Sequence, residues 1–228
     1  MPKILNIETA TDVCSICLSN NGKIVAYAEG ESGFNHASVI TILIQKCLQQ
    51  ATYKLSELDA VALSQGPGSY TGLRIGVSVA KGICYALDKP LIAIDTLRAL
   101  AWACAAKNEK QEVLYCPMID ARRMEVYTAM YDSNNQETEA VQAKIIDENA
   151  FWEYFDNEQT IVFCGNGSEK CQPILRSPFA QFSPIVCSAK HLNFLSKKSF
   201  EEGEFSDVAY FSPLYYKSPN ITIPKKIL

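Results

Sequence analysis

Four short stretches carry the side chains that could do chemistry. Ile7-Glu8-Thr9-Ala10-Thr11 ends an apolar run in an acid and two hydroxyls, the residue types that a phosphate-transfer site uses to hold a metal and bind phosphate. Such a site also needs a second acidic hairpin and a glycine-rich nucleoside turn in the other half of the chain. Cys164-Gly165-Asn166-Gly167-Ser168 is the candidate turn, and it would serve equally well as a plain strand-to-helix connection. One weak loop in each half falls short of an ATP site. The two histidines, His36 and His191, lie far apart, and none follows His36 at helical-pair spacing, so zinc ligation is not expected. His36 reads as a surface or interface residue at a helix start, and His191 as structural or exposed.

Asp120-Ala121-Arg122-Arg123-Met124-Glu125-Val126-Tyr127 joins two apolar runs as a charged hairpin tip. Asp120, Arg122 and Glu125 could fix the turn as a local ion-pair network, or Arg122 and Arg123 could bind an anion or a partner. The most specific stretch is Ser64-Gln65-Gly66-Pro67-Gly68-Ser69-Tyr70-Thr71-Gly72-Leu73-Arg74-Ile75-Gly76. Its glycines and Pro67 allow a sharp turn after a strand, and Ser69 or Thr71 can cap the helix that follows. Ser69 has no evident histidine base, so nucleophilic catalysis is not expected of this loop. Cys14 and Cys17 form a C-x-x-C, but on a strand that spacing turns the two thiols to opposite faces, which argues against a redox or zinc pair.

Composition bounds the remaining classes. The 228 residues, 48% hydrophobic and 20% charged, suit one large globular domain or two small ones. No apolar run nears the roughly 20 residues needed to span a bilayer, and the first residues read as a strand rather than an export signal, so a cytoplasmic location is expected. Nine cysteines without such a signal are expected reduced and mostly buried. A net charge of -4 lacks the basic surface of an autonomous nucleic-acid binder, so RNA contact is expected through a partner.

The elements that must position these residues follow from periodicity. Residues 4–7, 13–19 and 23–29 read as three strands, the last two joined through Asn20-Asn21-Gly22 as a hairpin. A helix over 35–52, a strand over 58–64, the glycine loop with a helix to 87, a strand over 91–95 and a helix over 96–107 follow. In the helix after the loop, Arg74, Ser78 and Lys81 share one narrow wedge, which predicts cover on nearly every other side. Gly72, Gly76 and Ala80, four apart, let another backbone approach, from the same domain or from a second chain. The order repeats with strands over 113–119, 125–131 and 140–146, a helix over 147–155, a strand over 160–164, a short helix over 168–175, a strand over 182–186 and a helix over 188–200. The expected fold is therefore α/β, two tandem ribonuclease-H-like (actin-like) lobes over 1–107 and 108–228, each a mixed five-stranded sheet flanked by helices. The tail from 203, with Pro213, Pro219 and Pro224, is expected to be extended.

The first-strand motif, the glycine loop and the hairpin tip, together with Pro213-Leu214-Tyr215-Tyr216-Lys217, closely resemble the TsaB (YeaZ) family, the dimerisation subunits of the bacterial tRNA threonylcarbamoyladenosine system. Glu8 stands where that family usually has aspartate, Met124 where the hairpin often has glycine, and Lys217 where arginine is usual; lysine cannot form arginine's planar fork. The resemblance implies a non-catalytic subunit that binds and activates the catalytic subunit TsaD and recruits the ATPase TsaE. ATP and metal would sit on those partners, with no cofactor here, and tRNA would be met only in the complex. The expected interface takes His36, Val39, Ile40, Leu43 and Cys47 from the first helix, and Gly72, Ile75, Gly76, Val79, Ala80 and Ile83 from the second. TsaD would cover it, or a second copy when the chain is alone. The loop residues Gly66, Pro67, Gly68, Ser69, Thr71 and Arg74 carry the family motif. Two other classes stand beside this one: an active actin-like phosphotransferase, which predicts ATP binding by the isolated chain, and a metallopeptidase-like hydrolase, which predicts stoichiometric metal.

Overall fold

The computed structural model describes residues 1–31, 33, 35–107 and 113–217. A meander opens the chain: β1 (Lys3–Glu8), β2 (Ser15–Asn20) and β3 (Lys23–Glu29) are antiparallel neighbours. Asn21 and Gly22, both at positive φ, turn β2 into β3. Then come α1 (His36–Ala51), β4 (Ala60–Gly66), α2 (Tyr70–Leu87), β5 (Leu91–Asp95) and α3 (Thr96–Ala105). β1, β4 and β5 run parallel, giving the sheet order β3-β2-β1-β4-β5. The second lobe contains β6 (Leu114–Asp120), β7 (Glu125–Tyr131), β8 (Glu137–Ile145), α4 (Trp152–Asp156), β9 (Ile161–Cys164), β10 (Ala180–Phe182) and α5 (Ala189–Glu202). Its order, β10-β9-β6-β7-β8, repeats the first. Two copies of this mixed topology make the tandem ribonuclease-H-like, actin-like pair expected from element order.

The second lobe departs from the periodicity in its short connections. The helix expected over 147–155 shrinks to the single turn α4, because the Asp147 side chain accepts the Asn149 N–H and holds a local turn instead. The helix expected over 168–175 is a 3-10 turn over Glu169–Cys171, and Pro173 follows it without an N–H to continue. The strand expected over 182–186 is the short β10, which ends ahead of Pro184. Pro213 belongs to an irregular segment after α5, and Pro219 and Pro224 lie outside the described residues.

Each sheet is covered partly by a helix from the other half of the sequence. Leu97, Leu100 and Cys104 of α3 pack with Tyr115, Ile119 and Val162 of the second sheet. Leu192 and Leu195 of α5 pack with Ile4, Ala60, Ala62 and Ile92 of the first. Ser196 on α5 donates to the fully buried Asn6 on β1 at 2.6 Å. The opposite face of the first sheet, with Leu5, Ile7, Val61 and Leu63, carries α1 and α2. Cys14 lies on that side, whereas Cys17 pairs in register with Asn6, on the α5 side. All nine cysteines are buried free thiols.

Candidate functional site

The turn after β1 and the glycine loop after β4 pack backbone to backbone. The Ser69 N–H donates to the Ala10 carbonyl at 2.7 Å, and the Ser69 hydroxyl caps α2 by accepting the Gly72 N–H at 3.2 Å. A Cβ at Gly68 would lie 2.5 Å from the Ala10 oxygen, one at Gly72 2.2 Å from the Thr9 oxygen, and one at Gly76 2.3 Å from Thr9 Oγ1. Glu8 is buried beneath this contact, where its Oε1 accepts the Ala10 N–H and the Ser64 hydroxyl, each at 2.7 Å. Burial pushes the Glu8 carboxyl above its usual range. This acid fixes the turn rather than reaching outward toward a metal. His36 ties the start of α1 to the same turn, its Nε2 standing 2.7 Å from the Thr11 carbonyl.

That packing corrects part of the expected interface. Gly72, Gly76 and Ala80 are buried in their own lobe: Gly72 admits the Thr9 carbonyl, Gly76 the Thr9 side chain, and Ala80 belongs to the core. Ile40, Leu43 and Cys47 on α1 are core residues of that lobe. Val39, Ile75, Val79 and Ile83 are half-buried, as is His36. α2 is also barer than its composition suggests, since Gly82, Tyr85 and Ala86 are exposed along with Arg74 and Ser78. Between α1 and α2 runs a shallow groove of about 390 Å³ with Ala37, Ile40 and Thr41 on one wall and Ile75, Ser78 and Val79 on the other. Ala37, Thr41 and Ser78 were not among the expected interface residues, because small and hydroxyl residues on an exposed stripe carry no signal of a groove.

A second and larger cavity, about 830 Å³, opens between the lobes. The turn after β1, the glycine loop, the hairpin tip between β6 and β7, and the segment Leu214–Lys217 line it, so four stretches far apart in sequence meet there. The hairpin does not form the expected network. Asp120 Oδ1 accepts the backbone N–H of Arg122 at 2.8 Å and pairs with Lys170, while Glu125 pairs with Lys217. Arg122 and Arg123 both occupy the left-handed region (φ 71° and 51°), and among the described residues neither guanidinium has a partner.

The segment Leu214–Lys217 links the two lobes along the lining of this cavity. The Leu214 N–H donates to the Gln65 carbonyl at 2.8 Å, and the Leu214 oxygen would stand 2.6 Å from a Cβ at Gly66. Arg74 Nε donates to the Tyr215 hydroxyl at 3.1 Å, with the guanidinium 4.4 Å from the Tyr70 ring centre. Tyr216 then approaches Tyr127, and Lys217 reaches Glu125 on the second lobe. Sequence reasoning noticed this segment through family resemblance alone; the 141 residues between Arg74 and Tyr215 hide the contact from any local pattern.

The second-lobe glycines have packing reasons to be glycine. Gly165 sits at φ 91° with a virtual Cβ 2.3 Å from the Met118 carbonyl, and at Gly167 the Cβ would be 3.0 Å from the Asp120 nitrogen. Asn166 Oδ1 accepts the Asp120 N–H at 3.2 Å. The described residues hold no cluster of three or more His, Cys, Asp or Glu suited to a metal. Burial lowers the affinity of half-buried His191 for its proton.

Against known proteins, a family model described as TsaD: tRNA N6-adenosine threonylcarbamoyltransferase matches residues 31–222. The tRNA threonylcarbamoyladenosine biosynthesis protein TsaB of Escherichia coli K12 is 39% identical over 145 residues, 61% of this chain and 62% of that one. The protein of the same name from Bacillus subtilis 168 is 28% identical over 221 residues, 94% of this chain and 93% of that one. The chain belongs to this family, in its TsaB (YeaZ) group. Its fold is similar to that of YeaZ from Pseudomonas aeruginosa, with a TM-score of 0.79 at 25% identity, covering 94% of this chain and all of that one. The chain thus spans less than two thirds of the first of these TsaB relatives and nearly the whole of the second.

Proposed function

We propose that this chain is a non-catalytic subunit of the machinery that places threonylcarbamoyl on the tRNA adenosine beside the anticodon. It docks a TsaD-type catalytic subunit in the groove between α1 and α2, activates it, and supports recruitment of the ATPase TsaE. ATP and metal reside on those partners, and the assembly works in the cytoplasm. The observation that carries this reading is the groove itself: an open, mostly apolar trough on the two helices that the family resemblance points to. When the chain is alone, a second copy covers the same trough. The position of Glu8 supports the same view, because a carboxyl held by Ala10 and Ser64 is poorly placed for phosphoryl transfer.

Ser78→Arg tests this directly. Ser78 is exposed, so the substitution fills the groove without disturbing the core. Affinity for the TsaD-type subunit should fall at least about tenfold, roughly 1.4 kcal/mol, with the melting temperature unchanged. Gel filtration and titration calorimetry would read it. Undiminished complex formation would sink the placement, and tRNA modification at full rate without this chain would sink the adapter role.

A further inference from the structure

The cavity between the lobes has a chemistry of its own, opposite in kind to the apolar groove. Among the described residues, its lining presents two guanidinium groups without partners, Arg122 and Arg123. Of the three lining carboxylates, Asp120 is paired with Lys170 and Glu125 with Lys217, leaving Asp12 as the carboxylate without an ion pair. The lining charges balance, Arg122, Arg123 and Lys217 against Asp12, Asp120 and Glu125, but the two arginines are left free because Lys170 and Lys217 take up Asp120 and Glu125. Four phenols stand on the walls in two loose pairs: Tyr70 with Tyr215, centroids 4.8 Å apart and tilted 36°, and Tyr127 with Tyr216, 6.4 Å apart and tilted 51°. Tyr70, Tyr215 and Tyr216 are each more than a third exposed, so ring surface remains open to a ligand.

We propose that this cavity binds a short single-stranded RNA segment, bases stacking on the tyrosines and phosphates meeting Arg122 and Arg123. Flat rings for bases beside free guanidinium groups for phosphates are what single-stranded nucleic-acid sites combine. A volume of about 830 Å³ holds a nucleotide unit, and the open mouth lets a strand continue past it. A free nucleoside triphosphate fits less well: Glu8 faces away into its turn, and Gly165 and Gly167 already have protein backbone against them. The choice of RNA rests on the tRNA-modification reading above. It goes beyond the expectation, drawn from net charge, of RNA contact through a partner.

The test uses the full chain, a fluorescein-labelled tRNA anticodon stem-loop and fluorescence anisotropy at low salt, with a fully paired RNA of similar length for comparison. The wild type should bind the loop more tightly than the duplex. In the double variant Arg122→Ala/Arg123→Ala affinity should drop at least tenfold, and the slope of log K against log salt should flatten by about 1.4, at about 0.7 per lost phosphate contact. Tyr216→Ala should weaken binding at least fivefold. Both variants lie away from the α1–α2 groove, so unchanged complex formation with the TsaD-type subunit reports an intact fold. No binding by the wild type, unchanged affinity in the double variant, or displacement of the RNA by equimolar ATP would each overturn the inference. Absent RNA binding with intact complex formation would do so while leaving the adapter role standing; RNA binding with failed complex formation would support the RNA site and remove the adapter role.

Discussion

Gly72 and Gly82 sit ten residues apart on α2 and answer differently to the same methyl group. At Gly72 a Cβ would lie 2.2 Å from a carbonyl oxygen that cannot move without pulling β1 and its turn; at Gly82 nothing lies within 4 Å. Gly72→Ala should cost at least about 2 kcal/mol, whereas Gly82→Ala should gain about 0.5–1 kcal/mol by restricting the unfolded chain, both read from urea midpoints. Asp95 gives a test of another kind. It caps α3 by accepting the Arg98 N–H at 2.9 Å and receives the Tyr131 hydroxyl, and burial raises its pKa from 3.8 to about 6. The folded state therefore binds more protons than the unfolded state between about pH 4 and 6, so this group's contribution to stability falls as pH rises through that window. Asp95→Asn keeps the cap and removes the charge. The variant should be about 1–2 kcal/mol more stable than the parent above pH 6 and show no advantage below pH 4, as followed by denaturant melts across pH. Spacing alone announced that something approaches Gly72 and Gly76 closely. It could not say what, because the approaching turn lies some 60 residues earlier in the chain.

At the scale of elements, the long strands and helices of the first half were legible because their apolar periods run uninterrupted. α1, α2 and α5 lie within two residues of their expected bounds. In the second half, local features decide the outcome: the Asp147–Asn149 hydrogen bond, and prolines 173 and 184 with no N–H to donate, trim helices and a strand that periodicity would extend. An amphipathic stripe also declares which face of a helix is buried without naming the sheet that buries it. For α5 the answer is the first sheet, where Leu192 is fully buried among Ile4, Ala60 and Ile92. Leu192→Ala should cost about 2–5 kcal/mol and, since this helix belongs to the second half of the sequence, lower the melting of both lobes as one transition in calorimetry. Two separate transitions, with one unchanged, would contradict that coupling.

Over the whole molecule, the segment from Leu214 to Lys217 fastens the glycine loop to the far hairpin. Its hold on Gln65 and Arg74 should protect the Leu214 amide from hydrogen exchange. The double variant Tyr215→Ala/Lys217→Ala should speed exchange there at least tenfold while leaving the amides of β1 and β4 as slow as before. The two helices and three lining residues of the groove, Ile40, Ile75 and Val79, were legible from sequence; the shapes of the groove and of the cavity were not. Each is a space between elements, and its shape depends on how closely the neighbouring backbones approach, which residue types only bound.

The position of α5 bears on how the molecule is made. A chain emerging from the ribosome has strands β1, β4 and β5 in hand by residue 95, yet Leu192, Leu195 and the Ser196 hydroxyl that engages Asn6 arrive about a hundred residues later. Throughout that interval one side of the first sheet has only Ala99 and Trp102 of α3 to cover it, a sticky surface during synthesis, and its closure waits until α5 has been translated.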